Sequence, residues 1–192
     1  APASTTETIL IGDSGIGSAD QIATIDLTAA DGITLKGDIV TSNAVADTDV
    51  AFTGKVLIVG DVTIDTDSDD LDGTITFSST IDSGASTGNL TILAGDTGAA
   101  AGGGLTFGGT IGGTAALGTL NINASDSTVA FTLPQIGDGT GTKGAAATTI
   151  GNANSELITL SGSGVAVEYN FTDNVTFNGG NGIKFDSTDP TI

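Results

Sequence analysis

The sequence predicts an all-β protein, a parallel β-helix (a β-solenoid), from three observations: a repeated triplet, abundant glycine and scarce charge. Each triplet is an apolar residue, a polar residue and a second apolar residue, and copies begin at positions 62, 75, 90, 105 and 120. The steps between them are 13, 15, 15 and 15 residues. Such an in-out-in triplet is a short, half-buried strand, and regular spacing brings each copy into register with the next.

Composition supports a folded chain rather than a disordered one. The chain has 192 residues, of which 38% are hydrophobic, and only 14% are charged although the net charge is −19. A mean hydropathy of +0.25 is too high for an intrinsically disordered acidic chain. The 30 glycines would destabilise helices, whereas the corners of a solenoid need small residues with permissive backbone angles.

Short apolar runs separated by Gly, Asn and Asp mark the candidate strands in chain order. They are residues 8–11, 22–27, 32–39, 50–52, 56–64, 74–81, 90–93, 105–107, 117–122, 129–133, 157–160, 165–171, 175–177 and 183–185. Between them stand turn dipeptides such as Asp31-Gly32 and Asp138-Gly139. Residues 135–154 contain few large aliphatic side chains, which predicts a loop excursion from an otherwise single domain spanning 1–192.

A solenoid turn with three faces takes roughly 20–30 residues, so a step of 15 residues spans one face and its corner. Successive triplets are therefore expected on different faces, with their apolar residues inward and their Thr residues outward. The inward set is predicted to include Ile64, Phe77, Ile92, Phe107 and Ile122. An antiparallel β-sandwich is the alternative, because it also has short strands with a turn every 8–12 residues or so.

Three segments carry a family resemblance: residues 60–83 (GDVTIDTDSDDLDGTITFSSTIDS), 88–95 (GNLTILAG) and 103–124 (GGLTFGGTIGGTAALGTLNINA). They resemble the repeats of filamentous-haemagglutinin-like proteins and of autotransporter passenger domains, which are large bacterial surface proteins. The resemblance implies a right-handed parallel β-helix. Those proteins have many more coils than 192 residues can form. The chain is therefore expected to be either a dedicated short subunit or a segment of a longer protein of this kind.

The missing residue types exclude several classes of function. The chain has no Cys, Met, Trp or His, and its basic residues are four Lys and no Arg. With a pI near 4.1 it lacks the basic surface that nucleic acid or an anionic membrane requires. No run approaches the roughly 18 consecutive apolar residues of a spanning helix, so membrane insertion is not expected. Without His or Arg to act on acidic sugars, we expect no enzymatic activity.

The densest acidic cluster predicts a Ca²⁺ site, and no other cofactor is expected. Its carboxylates are those of Asp65, Asp67, Asp69, Asp70 and Asp72. Hard oxygen ligands on a turn suit Ca²⁺, but the spacing departs from an EF-hand loop, since Asp70 replaces the invariant Gly and Thr76 the bidentate Glu. The alternative is a solvated acidic corner that keeps the protein soluble.

The apolar ends of the chain predict self-assembly. A short solenoid has two open edges, and exposed edges template the addition of another strand. The candidate assembly residues are Ile9, Leu10, Ile11, Ile183, Phe185 and Ile192. We therefore expect a structural protein whose partners are copies of itself in a homopolymer, a filament or surface layer. A repeat segment of a filamentous adhesin, with a receptor that the sequence does not identify, is the alternative.

The start and composition of the chain favour an extracellular or cell-surface location. The sequence begins at Ala1-Pro2-Ala3 without an initiator Met, as in a chain trimmed after export. The absence of Cys and Met also removes the side chains most sensitive to oxidation. We therefore expect a secreted protein.

Overall fold

A computed structural model of the chain describes residues 7–17, 22–41, 49–66, 73–84, 87–94, 104–124, 131–141, 143–151, 158–162, 169–178 and 182–187. In these ranges the regular secondary structure consists of strands without helix, and every strand pairing is parallel. The predicted parallel β-solenoid is therefore confirmed, and the antiparallel sandwich is wrong. A right hand stays a prediction, which the general right-handedness of parallel crossovers favours.

The strands are short, as expected for faces that alternate with corners. In chain order they are β1 (Thr8–Ile11), β2 (Thr24–Thr28), β3 (Gly32–Leu35), β4 (Ile39–Val40), β5 (Asp49–Thr53), β6 (Val56–Ile58), β7 (Asp61–Asp65), β8 (Ile75–Phe77), β9 (Ile81–Ser83), β10 (Asn89–Leu93), β11 (Leu105–Phe107), β12 (Leu120–Asn123), β13 (Phe131–Leu133), β14 (Thr148–Ile150), β15 (Ile158–Gly162), β16 (Val175–Phe177) and β17 (Ile183–Ser187).

Three parallel faces run along the solenoid. Face A has the strand order β1-β3-β6-β9, and single bridges at Ile111, Ile136 and Tyr169 extend it. Face B has the order β4-β7-β10-β12-β14-β16, with Ile16 bridged to β4. Face C consists of β2-β5-β8-β11 followed by β13-β15-β17, and β11 packs against β13 where the two sheets meet. The chain passes from A to B to C in each coil.

Inward side chains stack in columns along these faces. On face B the successive partners are Ile16, Ile39, Ile64, Ile92, Ile122, Ile150 and Phe177. On face A they are Ile9, Ile33, Val56, Ile81, Ile111, Ile136 and Tyr169. Each column has seven members because each coil contributes one residue. The interior members are fully buried, so every coil shields the apolar surface of its neighbours.

Aromatic rings form a second kind of column on face C. The Phe52 and Phe77 rings lie 4.9 Å apart between centroids with planes 9° apart, and Phe77 and Phe107 lie 5.6 Å apart with planes 4° apart. Phe52 and Phe77 are fully buried, whereas Phe107 is only partly buried. Parallel strand register imposes this near-parallel stacking, because equivalent side chains must follow one another along the axis.

The repeated triplets occupy two of the three faces in alternation. Those starting at 62, 90 and 120 form face B, and those starting at 75 and 105 form face C. The prediction that successive triplets lie on different faces is confirmed. So is the inward placement of Ile64, Phe77, Ile92 and Ile122, while Phe107 is less buried than expected.

Corners divide several runs that the sequence analysis treated as single strands. Residues 32–39 contain β3 and the start of β4, residues 56–64 contain β6 and most of β7, and residues 74–81 contain β8 and the start of β9. Gly60 stands between β6 and β7 with a φ of 79°, a left-handed conformation that most side chains disfavour. Apolar periodicity continued through these corners, so it did not reveal the change of direction.

Part of the segment 135–154, where an excursion is expected, belongs to the faces of the solenoid. Within this segment Ile136 bridges to face A, Ala145 bridges to Leu117, and β14 pairs with β12 and β16 on face B. Small residues such as Ala145 and Thr148 occupy buried solenoid positions here. In the described part of this segment, small residues therefore take positions that large aliphatic residues occupy in other coils.

Several carboxylates hold neighbouring coils together. The Thr63 amide donates to Asp38 Oδ1 at 2.7 Å, and the Thr74 amide donates to Asp49 Oδ1 at 2.8 Å, each across 25 residues. Asp82 Oδ1 accepts from the amides of Thr114 at 2.7 Å and Ala115 at 3.1 Å. These acids satisfy backbone N–H groups both within a strand, as for Thr63 in β7, and outside the strands, as for Thr74, Thr114 and Ala115.

Asp82 is the most buried of these acids, at 3% exposure, which makes its side chain testable. Asp82→Ala is expected to lower the free energy of unfolding by about 1–3 kcal/mol, because two amides lose their acceptor. Asp82→Asn keeps an oxygen in the same place and is expected to lose clearly less. Urea unfolding followed by circular dichroism measures both, and an equal loss in the two variants would contradict the acceptor role.

Candidate functional site

The two ends of the solenoid differ from its middle in how well their inward side chains are covered. Among the described residues, eight apolar side chains pack against the buried core yet remain partly exposed: Ile9, Ile16, Ile22, Leu27, Phe107, Tyr169, Phe171 and Phe177. The first four belong to the first coil and the last three to the last coil. An inward residue of an end coil has a neighbouring coil on one side only, so it keeps part of its surface.

The N-terminal end surface, defined as Ile9, Ile16, Ile22 and Leu27, is aliphatic. Two of these residues lie in edge strands, Ile9 in β1 of face A and Leu27 in β2 of face C. Ile9 is inward and in register with Ile33. Its neighbour Leu10 lies opposite Thr34 on the outer side of face A and is 62% exposed, a large value for a leucine.

The C-terminal end surface, defined as Tyr169, Phe171 and Phe177, is aromatic. The rings of Phe171 and Phe177 meet edge to face, with centroids 6.1 Å apart and planes 86° apart. The Tyr169 hydroxyl donates a hydrogen bond of 2.9 Å to the Leu133 carbonyl oxygen, which holds this ring against the end of β13.

Exposed large apolar side chains concentrate at the same two places. In the part of the chain that the structure describes they are Leu10 at 62%, Val175 at 37% and Ile183 at 37%. Leu10 belongs to β1, Val175 to β16 and Ile183 to β17, which are edge strands of their sheets. Strand edges flanked by exposed apolar side chains are the typical setting of strand addition.

The sequence-predicted assembly residues divide between these two ends. Ile9, Leu10 and Ile11 lie in β1, with Ile11 almost buried, and Ile183 and Phe185 lie in β17. Ile192 lies outside the described residues. The structure therefore places the two sets at opposite ends of the solenoid, and their role in assembly stays a prediction.

The predicted Ca²⁺ site falls mostly outside the described residues. Asp65 is the last residue of β7, in register with Val40 on one side and Leu93 on the other. Asp67, Asp69, Asp70 and Asp72 are not described. Among the residues that are, no group of three or more His, Cys, Asp or Glu could hold a metal ion. The Ca²⁺ hypothesis stays a prediction.

Sequence reasoning missed most residues of the two end surfaces, including Ile16, Leu27 and Phe171. It searched the first and last apolar runs of the chain, whereas an end surface is formed by the whole first or last coil. The residues of the N-terminal end surface can be found one coil before the inward residues of the second coil, and Phe171 can be found one coil after Ala145. Ile39 and Phe52, for example, have Ile16 and Leu27 as their partners in the first coil.

Comparisons of the chain with protein-family models, with curated proteins and with solved structures yielded no match. Among the described residues there is no helix that is both long enough and apolar enough to cross a membrane.

Proposed function

We propose that this chain is a secreted structural protein, a protomer of an extracellular filament or surface layer that grows end to end by strand addition. The observation that carries the proposal is the paired set of end surfaces, one aliphatic and one aromatic, each bordered by edge strands. A neighbouring copy would cover the apolar side chains and continue the backbone ladders in one step.

The chemical difference between the ends favours an open polymer. An aliphatic end that binds an aromatic end makes a heterologous contact, and such contacts propagate unless a rotation closes them into a ring. A solenoid stacks along one axis, so addition of a copy continues that axis. The last coil of the growing polymer then presents the same surface as before.

The composition and the family resemblance support an extracellular role. The chain has no Cys or Met to oxidise, and the segments at 60–83, 88–95 and 103–124 resemble repeats of filamentous-haemagglutinin-like and autotransporter-passenger surface proteins. In the alternative function, a repeat segment of a filamentous adhesin, further coils of the same polypeptide cover both ends. The resemblance favours this alternative, and the assembly experiment separates the two.

Charge opposes assembly and makes the proposal testable by salt. Each copy has a net charge of −19, so copies repel one another until their charge is screened or neutralised. Sedimentation velocity and electron microscopy across protein concentration are expected to show filaments, with a critical concentration that falls as salt rises. It is also expected to fall as the pH approaches the pI near 4.1.

Two variants with the same change of charge test the end surface directly. Ile9→Lys puts an ammonium group into the aliphatic end surface. It is expected to abolish filaments, because assembly would have to remove this charged group from water at the junction, which is unfavourable. Thr106→Lys puts the same charge on the outer side of β11, in register with Thr76 and away from both ends, and is expected to leave assembly largely intact.

Unchanged circular dichroism of both variants is the control for folding. A wild-type chain that stays monomeric at high concentration and high salt would overturn the filament proposal and leave the adhesin segment. Equal assembly of the two variants would show that the end surface is not the contact.

A further inference from the structure

We infer that the junction between copies keeps the solenoid's own register, so that β17 of one copy pairs in parallel with β2 of the next and Lys184 lies beside Asp26. This inference rests on the proposed end-to-end assembly and specifies its partner surface. The two strands share an apolar-polar-apolar sequence pattern, Ile25-Asp26-Leu27 in β2 and Ile183-Lys184-Phe185 in β17.

The register follows from the columns of face C. Within the solenoid Ile25 pairs with Val50, Val50 with Ile75, and Ile75 with Leu105. Further along, Phe131 pairs with Ile158, and Ile158 with Ile183. All these residues are the first members of their triplets, so a copy that continues the face places Ile25 next to Ile183.

The middle positions of the same triplets then bring opposite charges together. Asp26 pairs with Ala51 on the outer side of face C, and Lys184 pairs with Thr159 on that side. Both Asp26 and Lys184 are exposed. Adjacent parallel strands are about 4.8 Å apart, and opposite charges at directly neighbouring positions attract one another across strands.

The positions of the lysines in the sequence also favour head-to-tail contact over contact between like ends. The first Lys of the chain is Lys36, so residues 1–31 carry carboxylates and no side-chain cation. Two first coils brought together would place Asp26 among carboxylates of the other copy. The last coil offers Lys184, the only Lys after Lys143, at the position that faces Asp26 in the continued register.

Faces A and B give the same alignment. The first member of the face A column is Ile9 and the last is Tyr169, and on face B they are Ile16 and Phe177. A copy that continues face C in register therefore puts an aromatic ring of one end surface over an aliphatic side chain of the other on both remaining faces. Three columns continue through one junction.

Disulfide crosslinking can test the register, because the chain has no Cys of its own that could form a competing disulfide. Neighbouring parallel strands bring paired Cα atoms to about 4.8 Å, within the range that a disulfide spans. The double variant Asp26→Cys with Lys184→Cys is expected to form a ladder of covalent oligomers on oxidation of assembled protein. Electrophoresis with and without a reducing agent reads out the ladder.

Single variants test which ends meet. Asp26→Cys alone and Lys184→Cys alone are expected to give no covalent species, whereas an equal mixture of the two gives a covalent dimer. Thr28→Cys with Lys184→Cys is the matched control for register. It moves one sulfur by two residues, which takes the Cα atoms beyond about 7 Å and is expected to prevent the bond.

The outcomes separate the register from the assembly itself. Filaments that crosslink through position 28 and not through position 26 would overturn the proposed register while leaving end-to-end assembly in place. A covalent dimer from either single variant would overturn the head-to-tail contact. If neither filaments nor covalent species form, the proposed function fails together with this inference.

Discussion

Phe77→Ala is expected to lower the free energy of unfolding by about 3–5 kcal/mol, the range for removal of a fully buried phenylalanine. Its side chain is 1% exposed and its ring stacks between those of Phe52 and Phe107. The substitution removes both ring contacts and leaves a cavity in the middle of face C. Urea unfolding followed by circular dichroism measures the loss.

Phe107→Ala is the matched comparison, because it removes the same side chain from the same column. Phe107 is partly buried and stacks on Phe77 alone among the described aromatic residues. Its loss is therefore expected to be clearly smaller than that of Phe77. A solenoid is stabilised mainly between neighbouring coils, so the Phe77 variant is also expected to broaden the transition. Equal losses would contradict the described difference in burial.

The repeated triplets were sufficient to predict the parallel solenoid and the alternation of faces. They combine an apolar pattern with a regular spacing, and both are properties of the sequence itself. The triplets starting at 62 and 90 differ by 28 residues and still pair residue for residue, since the loops between them absorb the irregular length. The pattern therefore predicted the core correctly despite irregular corners.

The corners and the roles of the acids could not be predicted in the same way. Nothing in the local sequence shows that Asp38 accepts a hydrogen bond from an amide 25 residues later, because that contact exists only once coils are stacked. In sequence, an isolated Asp of this kind looks the same as any solvated surface carboxylate. Likewise, Ile136 and Ala145 look like loop residues in sequence, but they occupy solenoid positions set by the neighbouring coils.

The end surfaces were predicted in part, for a related reason. Ile9 and Ile183 belong to apolar runs near the ends of the chain, and such runs can be found by inspection. Leu27 and Phe171 became candidates only when the first and last coils were defined by strand pairing. An end of a solenoid is a property of the whole coil, so a linear search recovers only the strands nearest the ends of the sequence.

Deletion of residues 1–11 is expected to abolish filaments while leaving a folded, soluble protein. The deletion removes β1, and β3 becomes the first strand of face A. Faces B and C still begin with Ile16 and β2, so face A is now shorter than the other two by one strand, about 4.8 Å. A partner end that matches three complete columns then meets a step and cannot pair with all three faces together.

The remaining coils are expected to stay folded because solenoid stability depends on contacts between neighbouring coils. Ile33 and Leu35 lose their cover on one side, a local cost that does not reach β7 or β10. Circular dichroism and thermal unfolding check the fold, and electron microscopy with sedimentation checks assembly. Filaments from the shortened chain would show that face A is dispensable for the contact, and the junction would then have to be carried by faces B and C.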